Sequence, residues 1–203
     1  MSRSALLRAE VAAKRAFDVL LAGVLLILLL PPLAIIAIVV RATSPGEVIF
    51  RQERVGRGGA PFVIYKFRTM IPHAPRSVLG SYAYRDDPLI TRVGRLLRRT
   101  SLDELPQLVN VLKGDMSIVG PRPDLPHHVD KYTAFQRRRL QVRPGITGWA
   151  QVSGRNELSW EARIKLDVEY VERWSLFLDL IVLLKTFGAV LSAKGSQRTV
   201  DVP

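Results

Sequence analysis

The chain has 203 residues, no cysteine and a formal net charge of +12 at pH 7. The lack of cysteine excludes disulfide frameworks, cysteine-ligated metal centres and a thiol nucleophile. The positive charge excludes an acidic disordered chain and favours an anionic partner such as nucleic acid, a nucleotide, phospholipid or another phosphate.

The N-terminal part is apolar, and residues 19–40 contain no charged side chain. This run of 22 residues is long enough to be a membrane segment. Pro31 and Pro32 lie inside it and remove backbone donors, and basic residues flank both of its ends. We therefore predict a re-entrant helix–break–helix with arms of roughly 18 and 12 Å, which enters and leaves the membrane by one face. A kinked spanning helix is the main alternative.

A basic middle region follows, with 18 Lys or Arg against 8 Asp or Glu between Arg51 and Arg143. Within it, Glu47–Val55 and Pro61–Met70 are rich in β-forming residues and flank a glycine-rich turn, which predicts a β-hairpin. Lys66 and Arg68 are two residues apart in the second strand and so share a face. They are candidate phosphate ligands, although a solvated strand face has the same pattern.

Two carboxylates stand next to each other at Asp103 and Glu104, after a very basic predicted helix at residues 89–99. The pattern Ser-Leu-Asp-Glu at 101–104 matches a capping box and predicts a second helix that begins near Asp103. Helix N-termini attract anions, and Arg98 is nearby, so we expect Asp103 to be ionised and nucleophilic. Plain helix capping is the alternative interpretation.

Three stiff loops then present arginine side chains. Arg122 lies between two prolines, Arg143 begins the run RPGITGW, and Arg155 lies in the short turn GRN. Each loop alone indicates only a turn, but together they predict a clamp for a phosphate-rich ligand. Beyond them, a helix at 157–174 is predicted to pack into the core. Residues 175–191 form either an interfacial amphipathic helix or an ordinary core helix.

Taken in order, these segments resemble one family, the bacterial sugar transferases. More narrowly, the chain is similar to the short form of the monotopic polyprenyl-phosphate phosphoglycosyl transferases of glycoconjugate and exopolysaccharide assembly. The resemblance covers nearly the whole chain, from Ala13 to Leu191. The matching runs are KRAFD at 14–18, YKFRTM at 65–70, TSLDELPQL at 100–108, KGDMSIVGPRP at 113–123, RPGITGWAQV at 143–152 and GRN at 154–156.

The resemblance implies a re-entrant membrane helix and an active site at the cytoplasmic face of the bacterial inner membrane. It implies transfer of a sugar-1-phosphate from a UDP-sugar to a polyprenyl phosphate, normally undecaprenyl phosphate, with release of UMP. Many members carry Ser-Pro at the helix break, where this chain has Pro31-Pro32.

Residue roles also follow from the resemblance. Asp103 would be the nucleophile of a phosphosugar–aspartyl intermediate and a ligand of Mg²⁺, and Glu104 would complete the dyad. The phosphates and the uridine end of the donor would be contacted by Lys66, Arg98, Arg122 and Arg155.

The sequence thus predicts an α/β protein, mostly α with a small β-hairpin or sheet. Residues 1–42 form the N-terminal segment and membrane helix, 43–191 a cytosolic-face catalytic domain with interfacial helices, and 192–203 a tail. The predicted partners are a UDP-sugar, polyprenyl phosphate and membrane lipid, not nucleic acid; the oligomeric state is left open. Two alternatives are a membrane-tethered basic protein that binds nucleic acid or anionic lipid, and a Mg-dependent lipid-diphosphate phosphatase.

Overall fold

The computed structural model describes residues 3–71, 88–154 and 158–191. The helices are Arg3–Thr43 (α1), Arg92–Thr100 (α2), Gln107–Lys113 (α3), Pro126–Val129 (α4), Ala134–Arg137 (α5), Trp149–Ser153 (α6), Trp160–Arg173 (α7) and Leu176–Leu191 (α8). The strands are Ile49–Val55 (β1), Pro61–Phe67 (β2), Ser117–Val119 (β3) and Gly145–Thr147 (β4). The predicted class, mostly helical with a small sheet component, is confirmed.

Helix α1 contains the whole apolar segment. The predicted interruption at Pro31 and Pro32 is wrong, because helical backbone continues from Arg3 to Thr43. A proline φ near −65° is compatible with a helix, so the two residues remove hydrogen bonds without ending it. Within the described ranges, α1 is the one helix long and apolar enough to cross a membrane, and only 11% of its most apolar window is buried. Protein therefore leaves most of this surface uncovered, and the path of α1 through a bilayer stays a prediction.

Polar contacts attach the start of α1 to the rest of the fold. The Lys14 ammonium lies 3.0 Å from the Asp18 carboxylate and 2.8 Å from that of Asp179 in α8, and both carboxylates are buried. Asp18 also accepts a hydrogen bond from the Ile118 N–H. Arg15 donates to two carbonyls near the end of α3. Because buried charges are costly unless they are paired, these contacts fix α1 at one position on the domain.

The predicted hairpin is confirmed. Strands β1 and β2 pair antiparallel from Ile49 opposite Phe67 to Val55 opposite Pro61. The connecting turn contains Gly58 and Gly59 with φ of 69° and 87°, a region that favours glycine. The hairpin places Lys66 near the end of β2, where its ammonium reaches the carboxylate of Glu104.

A second, parallel sheet joins two of the loops that the sequence left as turns. Ser117 of β3 pairs with Gly145 of β4. A Cβ atom on Gly145 would lie 2.1 Å from the Gly120 nitrogen, and one on Gly148 would lie 2.2 Å from the Gly120 oxygen. The two loops therefore approach backbone to backbone, and only glycine fits at these positions.

The main core lies between α1, α3, the two sheets, α7 and α8. Its buried members are Ala22, Ile64, Leu108, Val111, Met116, Ile118, Val119, Tyr170 and Val182. Of the stripe of Leu166, Tyr170 and Trp174 that is predicted to pack into the core, Tyr170 is a buried member of this cluster and Trp174 packs against it. A smaller cluster joins Val40 of α1 to Phe67 and Leu97. Both ends of the apolar segment of α1 therefore pack on the same domain.

Candidate active site

The carboxylate pair lies in a short 3₁₀ turn, Leu102–Glu104, between α2 and α3. The predicted capping box is wrong. Ser101 ends α2 in the left-handed conformation, with φ of 59°, and its side chain caps no helix. Helix α3 begins at Gln107. Strained residues of this kind cost about 1–3 kcal/mol and occur often at functional sites, and this one directly precedes the pair.

Glu104 is held by two cations. Its Oε1 lies 2.7 Å from the Lys66 ammonium and 2.7 Å from Nη2 of Arg122, and its Oε2 lies 3.1 Å from Nη1 of Arg122. This is the two-pronged geometry of a strong guanidinium–carboxylate pair. Burial raises the pKa of Glu104, but the charges and hydrogen bonds of Arg122 and Lys66 outweigh burial and lower it. Glu104 is therefore an ionised, fixed anchor for two cations.

Asp103 has a different environment although it is the adjacent residue. It is 8% exposed, and burial together with the charge of Glu104 raises its pKa to about 6. Lys66, Arg98 and Arg122 act in the opposite direction. A carboxylate with this pKa is mostly ionised at neutral pH and is more basic than an ordinary aspartate. In the part of the chain that the structure describes, no side chain donates a hydrogen bond to it.

A third cation, Arg98, lies at the end of α2. Its Nε donates to the Thr69 hydroxyl at 2.8 Å, just after β2. Gly94 lets α2 approach this segment closely, because a Cβ at that position would lie 2.1 Å from the Thr69 oxygen. The structure thus brings Lys66, Arg98 and Arg122 around the carboxylate pair, from three separate parts of the chain.

The other predicted site residues lie elsewhere. Arg68 follows β2 and donates to the Ser44 carbonyl at 2.6 Å, at the end of α1. Arg143 donates through Nε to the Gly114 carbonyl at 2.8 Å and lies near Arg15 and Arg57. The structure does not bring these two side chains to Glu104, so their predicted role in substrate binding stays a prediction. Arg155 lies outside the described residues.

Comparison with known proteins identifies the family. A family model described as bacterial sugar transferase matches residues 9–193. The chain belongs to this family. The sugar transferase EpsL of Bacillus subtilis, described as uncharacterized, is 48% identical over 190 residues, which cover 93% of this chain and 92% of that protein. The exopolysaccharide production protein ExoY of Rhizobium meliloti is 40% identical over 198 residues, or 91% and 88% of the two chains.

A third relative carries a named reaction. The UDP-glucose:undecaprenyl-phosphate glucose-1-phosphate transferase of Escherichia coli is 47% identical over 183 residues. The match covers 86% of this chain but 39% of that enzyme. The chain therefore spans well under half of this relative, while it matches EpsL and ExoY over nearly their whole lengths.

Several residues of this sugar transferase that surround the site were missed from the sequence. Gln107, one turn after Asp103, is buried, and its Nε2 has no hydrogen-bond partner among the described atoms. Thr69 holds Arg98, and Arg139 donates to the main-chain carbonyl of Arg122. None had a detectable signal, since a glutamine at a helix start and an arginine in a basic run are typical of exposed surfaces.

The site fits a magnesium ion only through its adjacent carboxylates. No group of three His, Asp or Glu side chains within the described ranges could hold a metal. Mg²⁺ usually takes one or two protein carboxylates and completes its coordination with water and substrate phosphates. Asp103 and Glu104 supply that number, but both Glu104 oxygens already pair with Lys66 and Arg122. Asp103, the predicted ligand, is therefore the residue that would hold the ion.

Proposed function

We propose that this sugar transferase moves a sugar-1-phosphate from a UDP-sugar to a membrane polyprenyl phosphate, undecaprenyl phosphate by analogy with the named relatives. The products are a polyprenyl-diphospho-sugar and UMP, and the reaction is the first membrane step of glycoconjugate or exopolysaccharide assembly. The observation that carries the proposal is the buried Asp103 carboxylate of raised pKa, beside Glu104 and three cations. This arrangement suits a nucleophile that must attack an anionic phosphoryl group.

Two displacements at one phosphorus atom describe the reaction. In the first, an Asp103 oxygen attacks the sugar-bearing phosphorus of the UDP-sugar. The bond between this phosphorus and the oxygen that bridges the two phosphates breaks, and UMP leaves. In the second, a phosphate oxygen of the polyprenyl phosphate attacks the same phosphorus and displaces the Asp103 carboxylate. A covalent intermediate lets the soluble donor and the lipid acceptor react in separate steps.

The cations explain how a carboxylate can approach a diphosphate. Lys66, Arg98 and Arg122 offset the negative charge that gathers when Asp103, Glu104 and the donor meet. Arg122 remains 47% exposed while it pairs with Glu104, so its guanidinium is accessible to a ligand from solvent. When bound, Mg²⁺ would supply further charge neutralisation at the diphosphate.

We also propose that the protein lies at the inner membrane, with the catalytic domain on the cytoplasmic face. Ala22 and Val40, near the two ends of the apolar segment, pack on the same domain. Between them, large apolar side chains such as Leu28 and Leu30 are more than half exposed. Helix α8 adds a second uncovered apolar surface, formed by Leu176, Phe177, Leu180, Leu184 and Phe187. These features support a segment that enters and leaves by one face, with α8 at the interface. Because helical backbone continues through Pro31 and Pro32, this path requires a bend of α1 at the prolines, where hydrogen bonds of the helix are missing.

Cysteine probes at Arg3 and Arg57 are expected to label from the same side of the membrane. Both positions belong to the basic flanks of the apolar segment, which are retained on the cytoplasmic side. The cysteine-free chain allows single-cysteine variants without background. The measurement is labelling by a membrane-impermeant maleimide in intact and inverted vesicles. Labelling of the two positions from opposite sides would contradict the re-entrant path.

The proposed reaction is tested by measuring UMP release from a panel of UDP-sugars, with and without added polyprenyl phosphate. We expect sustained UMP release only when the lipid acceptor is present, with one preferred sugar. Continuous release of sugar phosphate to water without acceptor would instead indicate a phosphatase. The absence of UMP release from every donor tested would contradict the proposal.

A further inference from the structure

Arg122 pairs with Glu104 beside the Asp103 carboxylate. The loop that carries Arg122 has few backbone donors of its own. Pro121 and Pro123 carry no N–H group. Loop carbonyls are held from outside: the Pro121 oxygen accepts from the Gly145 N–H at 2.9 Å. The carbonyl of Arg122 itself is bound by a side chain, Nη2 of Arg139, at 2.7 Å.

We propose that the buried Arg139–Asp167 ion pair is a positioning device for the transfer reaction, which holds the main chain of Arg122 so that its guanidinium meets Glu104. This inference rests on the proposed function. Arg139 touches neither Glu104 nor Asp103 in the described structure, so it is a positioning residue that acts through Arg122.

The contacts of Arg139 show how it is fixed. Its side chain is 7% exposed, and Nη2 lies 2.5 Å from the Asp167 carboxylate of α7. Nη1 donates to the Tyr132 hydroxyl at 2.5 Å. The Tyr132 hydroxyl donates in turn to Asp124 at 2.8 Å, two residues after Arg122. The same guanidinium group therefore reaches the loop directly and through Tyr132.

A purely structural role does not account for this arrangement. A buried ion pair is costly to desolvate, and apolar residues of similar volume often stabilise a fold as well or better. An apolar residue at position 139 could not bind the Arg122 carbonyl. The planar guanidinium binds three groups from α7, Tyr132 and the loop at once, which a single ammonium cannot reproduce.

The adjacent residue provides a matched control. Arg138 pairs with Glu172, also in α7, with its Nη2 2.5 Å from the carboxylate. Its side chain is 44% exposed. The two arginines thus link the same segments of the chain by ion pairs, but it is Arg139 that contacts the Arg122 carbonyl.

The test compares Arg139→Lys and Arg138→Lys by hydrogen exchange and by kinetics. Arg139→Lys is expected to speed exchange at least about tenfold at the two amides that donate to the loop, Gly145 N–H to the Pro121 carbonyl and Val55 N–H to the Asp124 carbonyl. Arg138→Lys should leave exchange at both amides unchanged. In turnover, Arg139→Lys is expected to lower kcat/KM about 5- to 30-fold. In an Arg122→Ala background the same change should cost less than about twofold, because residues that act through one another are not additive.

Tyr132→Phe serves as a gentler second variant if Arg139→Lys unfolds. It removes the hydroxyl between Arg139 and Asp124 and should shift the same readouts in the same direction, by a smaller factor. Unchanged exchange at the two amides that donate to the loop, or a full kinetic penalty that persists in the Arg122→Ala background, would overturn the inference. If the wild-type enzyme shows no transferase activity, the exchange measurement still tests the positioning role separately.

Discussion

Replacement of Asp103 by asparagine is expected to abolish the covalent sugar-phosphate adduct and with it all turnover. Wild-type enzyme mixed with UDP-sugar and Mg²⁺, without lipid acceptor, should release about one equivalent of UMP and keep the sugar phosphate on the protein. Addition of polyprenyl phosphate should then remove it. An amide oxygen is a far weaker nucleophile than a carboxylate, so Asp103→Asn should give neither the UMP burst nor the adduct. Intact-protein mass spectrometry measures the adduct directly.

Folding and chemistry can be separated in this variant. The pKa of Asp103 in the folded protein, about 6, exceeds the ordinary value of 3.8. Folding is therefore penalised by the Asp103 charge, and the penalty grows from about pH 4 to pH 6 and stays constant above that. Asp103→Asn removes the charge, so its Tm at pH 7 should equal or exceed that of the wild type.

Asp115→Asn is the matched control for this experiment, because it removes a carboxylate that pairs with Lys113 outside the site. It should retain the burst and the adduct. An adduct on Asp103→Asn, or UMP release that always requires both substrates, would instead favour direct transfer. Asp103 would then act as a magnesium ligand or a binding group. Glu104→Gln should also slow turnover, since it weakens the anchor of Lys66 and Arg122.

Features set by short stretches of sequence could be predicted. The hairpin follows from two β-rich runs and a glycine turn, and the structure has the same strands within a few residues. The adjacency of Asp103 and Glu104 is a property of the chain itself. The difference between their environments is not, because it depends on Lys66 and Arg122, which are distant in sequence and pair directly with Glu104. The sequence could place cations near the pair but could not assign them to one carboxylate.

Features that depend on long-range packing were missed. Strands β3 and β4 have three residues each, too few for any periodicity, and they pair across 25 intervening residues. Without that pairing, the sequence could not show that the Arg143 side chain donates to the Gly114 carbonyl. Arg139 stands in a run of three arginines that resembles a solvated face, and its burial follows from the position of Asp167 on α7. At Pro31 and Pro32 the error came from a local rule, which predicted a break where helical backbone continues.

Arg122→Ala is expected to lower kcat/KM for the UDP-sugar by about 10- to 100-fold, because hydrogen bonds to charged groups contribute about 1.5–3 kcal/mol each. The variant loses both bonds to Glu104, at 2.7 and 3.1 Å, and the guanidinium that would contact the donor. Its charge also lowers the pKa of Asp103. Without it that pKa should rise above about 6, so the fall of the UMP burst rate at acid pH should begin at a higher pH than in the wild type.

Arg51→Ala is the control for the Arg122 experiment. Arg51 is 59% exposed and pairs with Glu47 on the surface, a contact worth about 0.2–1 kcal/mol at most. Arg51→Ala should change neither kcat/KM nor the acid limb, which is the fall of the UMP burst rate at acid pH. In Arg122→Ala, Glu104 keeps Lys66 as a partner, so a cooperative unfolding transition should remain. The pH profile then distinguishes two roles of Arg122. A lower rate with an unmoved acid limb would mean that Arg122 binds the donor but does not set the pKa of Asp103. A normal rate would contradict its place in the site altogether.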